Sequence, residues 1–175
     1  MKKLLFFTVV AILFACSSVF AQVTKEQSVA EWTRAKAYTK AYLDAMPADG
    51  YAFKPTPEIR SFAGQMLHLA DANYFFVATA SGKESPMGKT SLEKTAAQTK
   101  EATTKAVMDS YDWAIGAIQG MTDAQLQETA TMGKDMKVVK GLLLAKGFEH
   151  QTHHRGQTTV YHRLKGVTPP PEMLF

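Results

Sequence analysis

Four stretches of the chain repeat apolar residues every three or four positions, the period of helices that bury one face. The first runs from Lys25 to Met46, with Trp32, Ala35, Thr39, Tyr42 and Met46 on one stripe. Thr24 and Gln27 form a capping box at its start, and Pro47 with Asp49-Gly50 ends it. The second is predicted over Pro57 to Ala80. Thr56 suits the N-cap, Pro57 the first helical position and Glu58 the positive helix end. Ile59, Phe62, Ala63, Met66, Ala70, Tyr74 and Val77 form its stripe, and Ser81-Gly82 closes it before a polar loop to Lys89.

The third helix is predicted over Ser91 to Gln119, with Thr90 and Glu93 as a second capping box. Its apolar positions gather in the second half, at Val107, Met108, Tyr111, Trp113, Ile115 and Ile118. Met121 to Lys134 is less regular. Thr122-Asp123 suits the cap of a short turn, and Leu126 to Thr131 suits extended chain. The fourth helix is predicted over Asp135 to Lys165, closed by Gly166 and the prolines at 169 to 171. There is no internal repeat, no glycine-rich phosphate loop and no strand series long enough for a sheet. The fold class expected is all-α: an up-down four-helix bundle.

The N-terminus stands apart from this pattern. Met1-Lys2-Lys3 is basic, Leu4 to Ala15 is apolar apart from Thr8, and small or apolar residues lead to Ala21. That order predicts a signal peptide over residues 1–21 and a single domain over 22–175. The apolar run is shorter than the roughly 20 residues that span a bilayer, so a retained anchor is the weaker reading. Export, to the periplasm first, is the localisation expected. Leu13-Phe14-Ala15-Cys16 loosely matches a lipoprotein signal, which makes a lipid anchor on Cys16 the alternative, although Phe14 is bulky for that motif.

Composition narrows the chemistry. Cys16 is the sole cysteine, so cleavage after Ala21 leaves no thiol for a disulfide, a nucleophile or a metal. The net charge of +4 includes Lys2 and Lys3. The remainder is too small to argue for nucleic acid or an anionic membrane as partner. The mature chain carries no predicted transmembrane segment.

The fourth helix holds the candidate chemistry. Met136, Val139, Leu143, Gly147, His150, His154, Gln157, Tyr161 and Leu164 form one seam, apolar at its ends and polar in the middle. A folding core has no use for buried polar groups without partners, whereas bundles build metal sites from inward polar side chains halfway along their helices. His150 and His154 lie about 40° apart around the helix and one turn apart along it, so both can reach one ion. Histidine is also a common ligand of zinc and similar ions. Gly147 leaves space beside the pair, and Gln157 is placed to orient a ligand or a water. His153 reads as a supporting or surface residue, His162 as facing solvent or a neighbouring helix, and Arg155 as an ion-pair partner at the bundle edge. His68, on the second helix, lies roughly opposite the main stripe of that helix. Periodicity leaves it open between a third ligand and an ordinary hydrogen-bonded histidine.

Two segments carry a resemblance. Arg60-Ser61-Phe62-Ala63-Gly64-Gln65-Met66-Leu67-His68-Leu69-Ala70 and Glu149-His150-Gln151-Thr152-His153-His154-Arg155-Gly156-Gln157, with the Arg163 to Gly166 and Pro169-Pro170 tail, resemble the DinB-like family of metal-binding four-helix bundles. The resemblance covers nearly all of residues 22–175. It implies that His68, His150 and His154 bind one divalent ion, zinc or nickel in the first instance. Among its members are bacterial thiol-dependent transferases and implied hydrolases, and members often dimerise. An export signal departs from the many members that resemble cytoplasmic proteins and weighs against a cytosolic thiol as cosubstrate.

Three histidines leave a coordination position open, the pattern of catalytic zinc. The function expected is therefore a metal-dependent hydrolase or transferase acting on a small molecule, with Glu149 and Gln157 the nearest candidates for an acid or base. A non-catalytic metal- or ligand-binding protein of the cell envelope is the alternative, and a metal-free bundle with hydrogen-bonded histidines is the third reading.

Overall fold

The structure, a computed structural model, describes residues 23–175. The predicted signal peptide, its expected cleavage site and Cys16 lie outside the described residues. Four long helices make the bundle: α1 (Lys25–Ala45), α2 (Phe62–Ser81), α4 (Lys100–Gln119) and α6 (Lys140–Leu164). Between them lie two short helices, α3 (Leu92–Thr95) and α5 (Asp123–Gln127), and a hairpin of β1 (Thr129–Met132) and β2 (Met136–Val139). The expected all-α four-helix bundle therefore forms. No described helix is long and apolar enough to cross a membrane.

Both α1 and α2 pack against α4 and α6, so α1 and α2 face each other across the bundle diagonal. This makes α2 the most enclosed helix. Phe62, Met66, Leu69, Ala70 and Val77 are fully buried on it, as are Trp32, Leu43, Tyr111, Ile118 and Leu143 on the others. Burying such side chains stabilises the bundle by about 1.5–3 kcal/mol each relative to exposure.

Helix starts follow cap chemistry, but not always at the positions expected. The Thr24–Gln27 capping box forms as predicted. The second helix does not start at Pro57. Residues 57–59 form a turn and a bend, and Ser61, extended, caps the helix by accepting from Gly64 N at 3.0 Å. Ile59, expected on the buried stripe, lies outside the helix and is 38% exposed. The third helix divides in two. Ser91, not Thr90, precedes the short α3, and Thr99 then caps α4 by accepting from Ala102 N. The fourth helix starts at Lys140, five residues later than expected. Met136 and Val139 belong instead to β2, antiparallel to β1 with Thr129 opposite Val139 and Met132 opposite Met136. The hairpin turns at Gly133, whose φ of +65° favours glycine.

Candidate metal centre

Because α2 packs directly on α6, His68 meets the pair that α6 presents. Ring centroids lie 4.5 Å apart for His150 and His154, 4.6 Å for His68 and His154, and 5.2 Å for His68 and His150. Each ring offers one nitrogen, and the three nitrogens all fall within 4.8 Å of one another. His154 is buried, while His68 and His150 are half-buried, so the cluster has an open side. Beside it a cleft of about 250 Å³ runs past Lys54, Glu58, Arg60, Glu93 and Gln98.

Close approach of the two helices depends on Gly147. A Cβ there would come within 2.9 Å of Phe76 Cβ, so any side chain would push α6 away from α2. Phe76 in turn packs against the His150 ring at 5.9 Å.

The electrostatics keep all three rings neutral. Burial pushes the His154 imidazole down to about 3, and His150 and His68 beside it add to the effect. Burial, then the neighbouring His68, also lowers His150. Burial, then Arg60, lowers His68. A neutral imidazole keeps the lone pair that a metal needs.

Hydrogen bonds fix which nitrogen of His154 keeps it. Tyr161 Oη donates to the Arg60 carbonyl at 2.8 Å, so it accepts from Gln65 Nε2 at 3.2 Å. Gln65 therefore turns its Oε1 to His154 Nδ1, 2.7 Å away. Nδ1 must carry the proton, which leaves Nε2 bare. His150 adds a second sign. Its Nδ1 is buried without a hydrogen-bond partner among the described residues. Such an orphan costs about 1–3 kcal/mol unless something takes it up. Three neutral imidazoles, one with its tautomer set and one with an orphaned nitrogen, are a donor set that fits a divalent ion.

Other expectations for α6 change. Arg155 is not at the bundle edge and pairs with no carboxylate among the described residues. It is buried, donates to Gln151 Oε1 at 2.7 Å and lies over the Tyr38 ring at 4.3 Å. His162 takes the second of its two expected places, fully buried against the neighbouring helix α1 and within 3.0 Å of the Tyr42 carbonyl. His153 is exposed, as read from the sequence, and Gln157 bonds to it at 2.8 Å instead of facing the cluster. Glu149 is exposed and ion-paired with Lys146, so it is not poised as an acid or base at the site. Leu164, the last residue of the predicted seam, is 57% exposed. Sequence reasoning missed Gln65 and Glu93, whose partners lie 89 and 25 positions away in the chain (Gln65–His154 and Glu93–His68), beyond any helical period.

The DinB superfamily model matches residues 31–158, which includes most of α1, all of α2 and the histidine motif of α6. The chain belongs to the DinB superfamily. The bundle is similar to the crystal structure of a DinB-like protein from Bacillus cereus, with a TM-score of 0.75 at 19% identity over 86% of this chain and 99% of that one. A DinB-like protein from Bacillus subtilis matches with a TM-score of 0.68 at 19% identity, over 85% of this chain and 98% of that one. At that identity the DinB likeness of the structures speaks for the fold alone. Among curated proteins, none matches the chain.

Proposed function

We propose that this DinB superfamily member is an exported, divalent-metal-binding protein whose ion is held by His68, His150 and His154, and that it is a metal-dependent hydrolase or transferase of small molecules. The observation that carries the reading is the convergence of three neutral imidazoles from two packed helices. Superfamily membership adds to it, since metal binding is common there. Zinc or nickel suits an all-nitrogen donor set. A divalent ion at such a site supplies Lewis acidity, which lowers the pKa of water or a thiol, or polarises an electrophile. The residues around it do the rest. Gln65 holds His154 in one tautomer, Phe76 walls one side of His150, and a cleft lined by Arg60 and Glu93, both next to His68, offers a small molecule a place to bind near the cluster. Export rests on the leader over residues 1–21, with the mature domain over 22–175 and lipidation at Cys16 as the alternative anchor.

Binding without catalysis has one observation in its favour. The carboxylates whose charge reaches His68 are Glu93 and Asp71, and both are taken up in hydrogen bonds with their neighbours. Neither is free to act as a general base.

Elemental analysis of the mature chain, purified and then reconstituted, tests the metal reading. One ion of zinc or nickel per chain is expected, and no ion after reconstitution sinks it. Turnover of simple esters or amides by the loaded protein, absent after chelation, separates hydrolase from binder. Gln65→Leu removes the acceptor that orients His154 while keeping the side chain's bulk. It is expected to weaken metal binding about 10–100-fold, the usual effect of losing a ligand's hydrogen-bond partner. Chelator competition reads this out, and unchanged affinity would show that Gln65 does not orient the ring.

A further inference from the structure

Two neighbours ask opposite things of His68 Nδ1. Glu93 Oε2, at 3.3 Å, needs a protonated nitrogen. Arg60 Nη2, at 3.4 Å, needs a bare one. An ion held at Nε2 requires the lone pair there, which leaves the proton of a neutral ring on Nδ1. Glu93 is then the partner of His68. Arg60 keeps its own bond to the same carboxylate, Nε to Oε1 at 2.8 Å, and holds it in place.

Glu93 does not reach His68 from a long helix. It comes from α3, four residues that make a single turn with no side chain fully buried, Leu92 alone packing partly against the core. What fixes α3 is Asp71, three residues after His68 on α2. Its Oδ1 accepts from Leu92 N at 2.7 Å, and its Oδ2 accepts from Ser91 Oγ at 2.7 Å and Glu93 N at 3.2 Å. This carboxylate does the work of an N-cap from across the chain: Ser91 makes no side-chain cap of its own. One helix thus carries both the imidazole and the clamp that brings a carboxylate to it.

We propose that Glu93 is the positioning residue for His68, fixing its tautomer and its aim, and that Asp71 clamps α3 to deliver it. The inference rests on the three-histidine metal reading. A carboxylate on the far nitrogen of a ligating histidine raises the basicity of the ligand and fixes the ring.

The test uses the mature full-length chain with Glu93→Gln, Glu93→Ala and Asp71→Asn. In the metal-free wild type, long-range ¹⁵N–¹H correlation at pH 7.5 is expected to show His68 protonated on Nδ1 and bare on Nε2. Glu93→Ala loses that preference. This readout involves no metal, and a wild-type His68 protonated on Nε2 overturns the proposal. In chelator competition with zinc, Glu93→Gln and Asp71→Asn are expected to bind 10–100-fold more weakly than wild type. Circular dichroism melts of the metal-free forms show whether the bundle itself is intact. A purely structural clamp would lower those melts and leave zinc affinity alone, which overturns the proposal. A wild type that binds no zinc overturns the metal reading and this one with it. A Glu93→Gln chain that binds zinc as tightly as wild type overturns this one alone.

Discussion

Alanine at both His150 and His154 is expected to abolish metal binding and, in the same chain, to make the metal-free protein more resistant to acid. The first effect follows from ligand count. Only His68 remains, and one half-buried imidazole does not hold an ion against water. Taking about 10–16 kcal/mol for a four-ligand zinc site, two ligands account for about 5–8 kcal/mol, or a loss of ~10⁴-fold or more. The second effect follows from the direction of the shifts. Folding pushes His154 down to about 3 from its ordinary value of 6.5, and lowers His150 as well. As pH falls below 6.5 the unfolded chain takes up protons that the folded chain refuses. Stability is therefore lost from about 6.5 down toward 3. The slope is at most about 1.4 kcal/mol per pH unit for each such group. Removing two of the three groups removes most of that slope. Urea unfolding of both metal-free chains at pH 7 and pH 5 measures it. Equal losses in the two chains would contradict the burial of these rings.

The histidine pair is legible in the sequence because both ligands lie on one helix. An i, i+4 spacing survives any uncertainty about where α6 begins, and α6 does begin at Lys140, after the expected Asp135. His68 is not legible by periodicity, for a physical reason. Helix α2 is covered on its apolar stripe and also on the opposite face, as at Leu67 and Ala72, so the stripe alone does not tell what His68 meets. The family resemblance points to His68, and the packing of α2 on α6 brings it to the pair.

Boundaries failed where two adjacent segments carry equally good cap chemistry. Thr56-Pro57-Glu58 has every local mark of a helix start, but Ser61 takes the cap, where Phe62 and Ala63 can enter the core. Thr90 and Glu93 match a capping box, yet Asp71 caps that turn from α2 and Glu93 turns to Arg60 and His68. A capping residue supplied from elsewhere in the fold leaves no trace in local sequence. The sequence shows only the first side of the hairpin before α6 as extended chain, because Met136 and Val139 also fit a helical seam.

Trp32→Ala is expected to be the most damaging single change to the bundle while sparing the metal. The indole is 1% exposed, meets Tyr111 and Phe148 edge-on with centroids at 6.1 and 6.2 Å, and is one of the largest buried side chains. Truncating such a residue costs about 3–5 kcal/mol, or roughly 6–20 °C in Tm for a domain of this size. The Cη2 atom lies 3.5 Å from where a Gly147 Cβ would sit, so the void opens beneath the stretch of α6 that leads to His150. Even so, none of the three ligands, nor Gln65 or Glu93, bonds to Trp32. The folded fraction is therefore expected to keep its metal affinity within a few-fold. This separates two kinds of residue. The histidine double variant should fold and not bind, whereas Trp32→Ala should bind and barely hold its fold. Excess zinc sharpens the contrast. An ion that binds only the native state stabilises it by about 2.7 kcal/mol at 100 times its dissociation constant. Zinc should therefore recover much of the Tm lost in Trp32→Ala and move the Tm of the histidine variant by nothing measurable. The remaining Trp113 reports unfolding by fluorescence in both chains. If zinc fails to raise the Tm of Trp32→Ala, core and metal centre are not independent, and the site depends on the indole for its shape.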